Sequence, residues 1–133
     1  MHQLARPGKP GVDLSSQILD AMSVFSFSDI FDDGPPRTVL ARVSINSYEL
    51  GGRDLASSTV FRPNHNFGDE SNRAFYVGQV QVPEDGLRAG ETRVVTIVFL
   101  NGHGLDQLLH VGRQWRLQSG PNLVGTSEVL EIR

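Results

Sequence analysis

The chain of 133 residues carries 15 acidic and 12 basic side chains, a formal charge of −3, and no cysteine. That balance gives no electrostatic attraction to nucleic acid or anionic membranes, and it excludes disulfide frameworks and thiolate metal sites. The length suits one domain with an appendage, and 14 Gly with 7 Pro favour turns and short strands over long helices.

The charge is spread without a basic module. Residues 1–37 hold three basic and five acidic groups (−2), and residues 38–133 hold nine and ten (−1). Eleven of the twelve basic residues are Arg, with Lys9 the one Lys. Arg offers a planar fork for carboxylate or phosphate that Lys lacks, although a GC-rich coding bias accounts for the same composition. No apolar run reaches the ~18–20 residues of a membrane span. Met1–Pro7 also lacks the apolar stretch of a secretory signal, so the expectation is a cytoplasmic protein without membrane contact.

Residues 1–12 contain Pro7, Gly8, Pro10 and Gly11 and form a lead without regular structure. Asp13 then reads as a helix N-cap. Leu14, Ile18, Leu19, Met22 and Phe25 follow at spacings that share one side of a helix of about three turns. A helix this short gains its stability by docking on something else. Ser26–Phe31 is apolar at alternate positions, and Asp32-Asp33-Gly34-Pro35-Pro36 is a breaker. The division is therefore an N-terminal arm over 1–37 and a β-domain over 38–133.

Beyond the breaker the period changes to two. Val39, Ala41, Val43 and Ile45 alternate with Leu40, Arg42, Ser44 and Asn46 as a half-buried strand, which runs on to Ser47-Tyr48-Glu49-Leu50. Tyr76, Gly78, Val80 and Val82 repeat the pattern until Pro83-Glu84-Asp85-Gly86 stops it. Val94–Leu100 is apolar on both faces, as a central strand requires. Gln114–Gln118 is a shorter strand, and Leu123–Ile132 closes the chain. Strands of this kind between turn signals indicate an all-β barrel or sandwich.

In order, the β-region shows Gly51-Gly52-Arg53, Phe61-Arg62-Pro63, Gly78-Gln79-Val80-Gln81-Val82-Pro83-Glu84, Ala89-Gly90-Glu91 and a final Trp115–Gly120 segment before Val124-Gly125-Thr126. This series resembles the C-terminal (third) domain of translation elongation factor Tu over residues ~40–132. The resemblance implies a six-stranded antiparallel β-barrel, here with a short N-terminal helical arm and without the GTPase domain. It also implies that the final hairpin is where the family grips the T-stem of aminoacyl-tRNA. At that place the family pattern Arg-Glu-Gly-Gly-Arg is replaced by Gln118-Ser119-Gly120-Pro121-Asn122. Both arginines are lost, and with them phosphate contacts that dominate such affinity. Arg53, Arg62, Arg113 and Arg116 are the arginines left to line a patch. The Gly residues of these motifs also suit special backbone angles and close approaches on structural grounds alone.

Other chemistry finds little support. No Gly-x-x-x-x-Gly-Lys-Ser/Thr or Gly-x-Ser-x-Gly segment is present, so neither GTP binding nor a serine nucleophile elbow is expected. His103, Asp106 and His110 have a spacing that a helix could present to a metal. However, Gly102 and Gly104 flank the first His, and solvated loop residues are the expectation. His65 between Asn64 and Asn66 is a conceivable base without a nucleophile partner. The pairs Asp32-Asp33, Asp69-Glu70 and Glu84-Asp85 fall at turn signals.

The expected protein is a non-enzymatic binding module without cofactor, working by protein–protein contact. Its expected binding residues are Arg53, Arg62, Arg116, Gln118 and Asn122 on the barrel and Ile18, Met22 and Phe25 on the arm. The arm has three roles open to it: folding back on the barrel, self-association with a second copy, or docking into a partner. The alternative is an RNA-binding accessory protein that keeps part of the tRNA-facing surface.

Overall fold

The computed structural model describes residues 34–68, 75–102 and 104–133. The helix expected in the arm, with Ile18, Met22 and Phe25, lies outside the described residues, as do Asp32-Asp33, Asp69-Glu70 and His103.

Six strands form the structure: β1 (Arg37–Ile45), β2 (Asn64–Asn66), β3 (Tyr76–Val80), β4 (Thr92–Phe99), β5 (Gln114–Ser119) and β6 (Asn122–Ile132). They close in the order β1-β4-β3-β2-β5-β6, and every neighbouring pair is antiparallel. The protein is thus a closed six-stranded antiparallel barrel, an architecture that leaves no unpaired sheet edge. No helix among the described residues is long and apolar enough to cross a membrane.

The alternation in the sequence sets which side chains enter the barrel. Val39, Ala41, Val43 and Ile45 of β1 are buried, while Leu40, Arg42 and Ser44 face outward. On β4 the inward set is Val95, Ile97 and Phe99, held in register by Val39 opposite Ile97 and Ala41 opposite Val95. β4 is bonded to β1 on one side and β3 on the other, and Val94 and Val98 alternate with this inward set beside Thr92 and Thr96. Register shifts at Leu40/Ala41 and at Leu117/Gln118 bend β6 around the closing seam.

One part of the core is aromatic. Phe67 stacks on Trp115 with centroids 4.9 Å apart, and the His65 ring meets Phe99 edge-on at 4.7 Å. Gly78 makes this cluster possible, because a Cβ there would stand 2.9 Å from both His65 Nε2 and Phe99 Cδ1.

Three local expectations are corrected. The first strand stops at Ile45, and Tyr48–Leu50 is a 3-10 turn instead of a strand end. The strand expected to reach Val82 ends at Val80. The stretch expected as a plain loop contains one short helical turn, α1 (Leu105–Leu108), anchored by buried Leu105.

Since neighbouring strands alternate in direction, β1, β3 and β5 all run toward one end. The connections 46–63, 81–91 and 120–121 gather there, and this is called the loop end below. Gly34, the connections 67–75 and 100–113, and Arg133 lie at the opposite end.

Candidate functional site

The loop end is built on Asn46, which follows β1. Its backbone N–H donates to Val124 O at 2.8 Å. Its side-chain amide donates to Leu123 O at 2.9 Å and to Leu50 O at 3.2 Å. The first connection is therefore tied to the start of β6. The 3-10 turn closes on itself through Leu50 N–H and Gly52 N–H, both donating to Ser47 O at 3.0 and 2.9 Å. The Gly-Gly pair is required here. Gly51 has φ 100 and sits against Leu123 O, and a Cβ on Gly52 would fall 1.6 Å from Asn46 O.

Two further ties reach the second connection. Tyr48 OH donates to Asp54 Oδ2 at 2.7 Å, and Ala89 N–H donates to Asp54 Oδ1 at 2.9 Å. Leu55 and Leu87 exchange both backbone hydrogen bonds at 2.7 and 2.8 Å, and both side chains are buried. The hydrogen bond from Tyr48, with that from the Ala89 amide, holds the Asp54 carboxyl below its ordinary value; the same bond raises the Tyr48 phenol. The first connection is thus fixed both to the second and to the start of β6. On this frame Tyr48 and Leu50 are held outward, 64% and 69% exposed.

The barrel residues expected from sequence fall in three places. Arg53 lies with its guanidinium 5.8 Å from the Phe61 ring centre. Next to that ring in the chain, exposed Arg62 donates from Nε to Gln79 Oε1 at 2.8 Å. Gln118 accepts from Asn66 Nδ2 at 2.7 Å. Asn122 is exposed at the hairpin, opposite Ser119. Arg116 instead reaches along β2 to donate to Gly68 O at 3.2 Å. Arg113 likewise donates to Phe67 O and packs over the Phe67 ring at 5.4 Å. Arg53 thus lies over the Phe61 ring and Arg62 on Gln79, whereas Arg113 and Arg116 turn toward the other end of β2.

Arg116 also borders a groove of about 350 Å³ on the outer wall of β1, β6 and β5, with Arg42, Ser44, Gln114, Thr126 and Glu128. Arg42 is paired with Glu128 at 3.1 Å across the strands, so the groove presents both signs of charge. Sequence reasoning singled out Arg116 alone, because the pairing of Arg42 with Glu128 depends on a register 86 positions apart.

His65 is buried completely. Its Nδ1 accepts the Trp115 indole N–H at 2.9 Å, and its Nε2 lies 2.9 Å from Gly78 O. An Nδ1 that accepts places the proton on Nε2, which then donates to the carbonyl. Burial pushes the pKa down to about 4, against the opposing hydrogen bond to Gly78. Both nitrogens are engaged in the core, so this ring has none left for general-base work. Asp106 pairs with Arg37 at 3.1 Å. No group of three His, Asp or Glu residues stands ready to hold a metal among the described residues. Asp85 is bound by Arg93 at 3.2 Å, and that contact lowers its pKa.

No family model matches the chain, and no curated protein matches it.

Proposed function

We propose that the protein is a non-enzymatic binding module, a barrel resembling the third domain of elongation factor Tu, that makes protein–protein contact through its loop end. The observation that carries this is the pair Tyr48 and Leu50, largely exposed on a turn that Asn46 and Asp54 hold in place. Side chains on a preorganised support lose little conformational entropy on binding, and Tyr is among the residue types enriched where interface energy concentrates. Arg53 and Arg62 flank the second half of the same connection and supply a polar rim. What supports the resemblance is the closed six-stranded barrel and the positive φ of Gly51 and Gly90 in its turns. A non-enzymatic role is supported by His65, whose strongly shifted pKa has a core explanation and no cleft.

The test compares full-length chain with Tyr48→Ser/Leu50→Ser as immobilised bait, quantifying each protein and RNA retained. A protein partner should fall at least about tenfold with the double variant, equivalent to about 1.4 kcal/mol, while the far-UV spectrum stays unchanged. Equal retention by the variant overturns the proposal. Salt-sensitive RNA retention, lost on Arg53→Ala/Arg62→Ala, would favour the RNA-binding alternative instead.

A further inference from the structure

Two arginines are tied to the corner where β2 ends. Arg113, just before β5, donates from Nη2 to Phe67 O and from Nε to Gln114 O at 3.2 Å. Arg116, on the outer face of β5, donates from Nη1 to Gly68 O at 3.2 Å. Phe67 and Gly68 are consecutive residues, and both arginines are half-buried.

Their partners set them apart from the other arginines. Arg37, Arg42, Arg93 and Arg133 face the carboxylates of Asp106, Glu128, Asp85 and Glu131 in turn. Arg113 and Arg116 form no ion pair among the described residues and meet backbone carbonyls. A carbonyl orients a guanidinium without cancelling its charge, and most of the five N–H donors of each fork stay open.

Arg116 also borders the groove on β1, β6 and β5, with Thr126 as its cross-strand neighbour and Ser44 beyond. Its volume of about 350 Å³ suits a small molecule. The acid in this groove, Glu128, is already matched by Arg42 at 3.1 Å. The border at Gly68 is therefore left with positive charge.

We propose that the groove binds a small phosphate monoester. Its phosphate is held by Arg116 and Arg113 at the Gly68 border, and the rest of the molecule lies over Thr126 toward Ser44. A phosphate monoester carries about two negative charges at neutral pH, which suits two guanidinium forks better than a single carboxylate does. The site is separate from Tyr48 and Leu50, so either proposal can fail without the other.

Trp115, the one tryptophan of the chain, stacks on Phe67, over which Arg113 packs, so its emission reports occupancy. The full-length chain is titrated with inorganic phosphate and with glycerol phosphate at constant ionic strength, which removes general screening. Both should change the emission saturably, the ester binding at least as tightly as the free ion. Arg116→Gln and Arg113→Gln should each raise the midpoint at least about tenfold, as loss of a hydrogen bond to a charged group implies. Arg133→Gln, whose partner is Glu131, should leave it within about twofold. Because Arg113 also covers Phe67, Arg116→Gln decides, provided its emission without phosphate matches the wild type. No saturable change, a free ion that binds tighter than the ester, or equal shifts in all three variants overturns the proposal. So does a single-stranded oligonucleotide that binds tighter than glycerol phosphate, which would assign the arginines to a nucleic-acid backbone. Binding that appears only in Asp69→Asn/Glu70→Gln overturns it as well, giving the arginines to carboxylates of the chain itself.

Discussion

A neutral imidazole in the core makes the barrel sensitive to mild acid. His65 has an ordinary value of 6.5 and is pushed down to about 4 by burial. A base depressed in the folded state contributes fully above about pH 6.5, and that contribution is lost as pH falls toward 4, because the unfolded chain takes up the proton first. The span corresponds to about 3 kcal/mol at most. The urea midpoint should therefore drop between pH 7 and 4.5, and His65→Gln should flatten the drop within that window. A wild-type midpoint constant across it would rule the mechanism out. Asp54 and Asp85 also have lowered values, but an acid depressed below 3.8 loses its contribution only at lower pH, so the windows separate. The residue drew attention in the sequence as a conceivable base. Its true setting depends on Trp115, 50 positions away, and on a glycine at 78 that leaves room for the ring. Neither dependence has a local signature.

Among the elements, the seam between β1 and β6 shows how a single side chain decides closure. Gly125 pairs with Ile45, and a Cβ there would stand 2.3 Å from Ser44 O and 3.2 Å from Ile45 Cα. Those are backbone atoms of a paired strand and have no rotamer to give. Gly125→Ala should cost about 3 kcal/mol or more, read as a lowered denaturation midpoint. A neutral substitution would show that the strands can separate locally. That glycine was legible in the sequence as a point of close approach, as were β1, β3 and β5 from their alternation and β4 from its run of apolar residues. β2 was not, having three residues between Pro63 and Phe67, too few for periodicity. The end of β1 was misjudged for a related reason. Tyr48-Glu49-Leu50 suits a strand by composition, but Asn46 and Ser47 capture its backbone groups and turn it into 3-10 geometry. The candidate site was half visible on the same account: Arg53, Arg62 and Asn122 are recognisable by type, whereas exposure of Tyr48 and Leu50 follows from that turn.

For the molecule as a whole, the balance of forces lies in the barrel interior. The ion pairs Arg37–Asp106, Arg42–Glu128 and Arg93–Asp85 all have at least one substantially exposed partner. Pairs of that kind contribute about 0–1 kcal/mol each and are screened by salt. Raising sodium chloride to several times physiological strength should thus change the unfolding free energy by less than about 2 kcal/mol. A larger fall would mean that the arginines hold the barrel together, in place of Val39, Ile97, Phe99 and their neighbours. Closure by β6 has a consequence for biosynthesis. This strand lies between β1 and β5, and residues 122–132 leave the ribosome after the other five strands of the barrel. Until they do, the nascent sheet has two open borders that invite pairing with other chains, so the eleven residues of that strand convert an adhesive intermediate into a closed barrel.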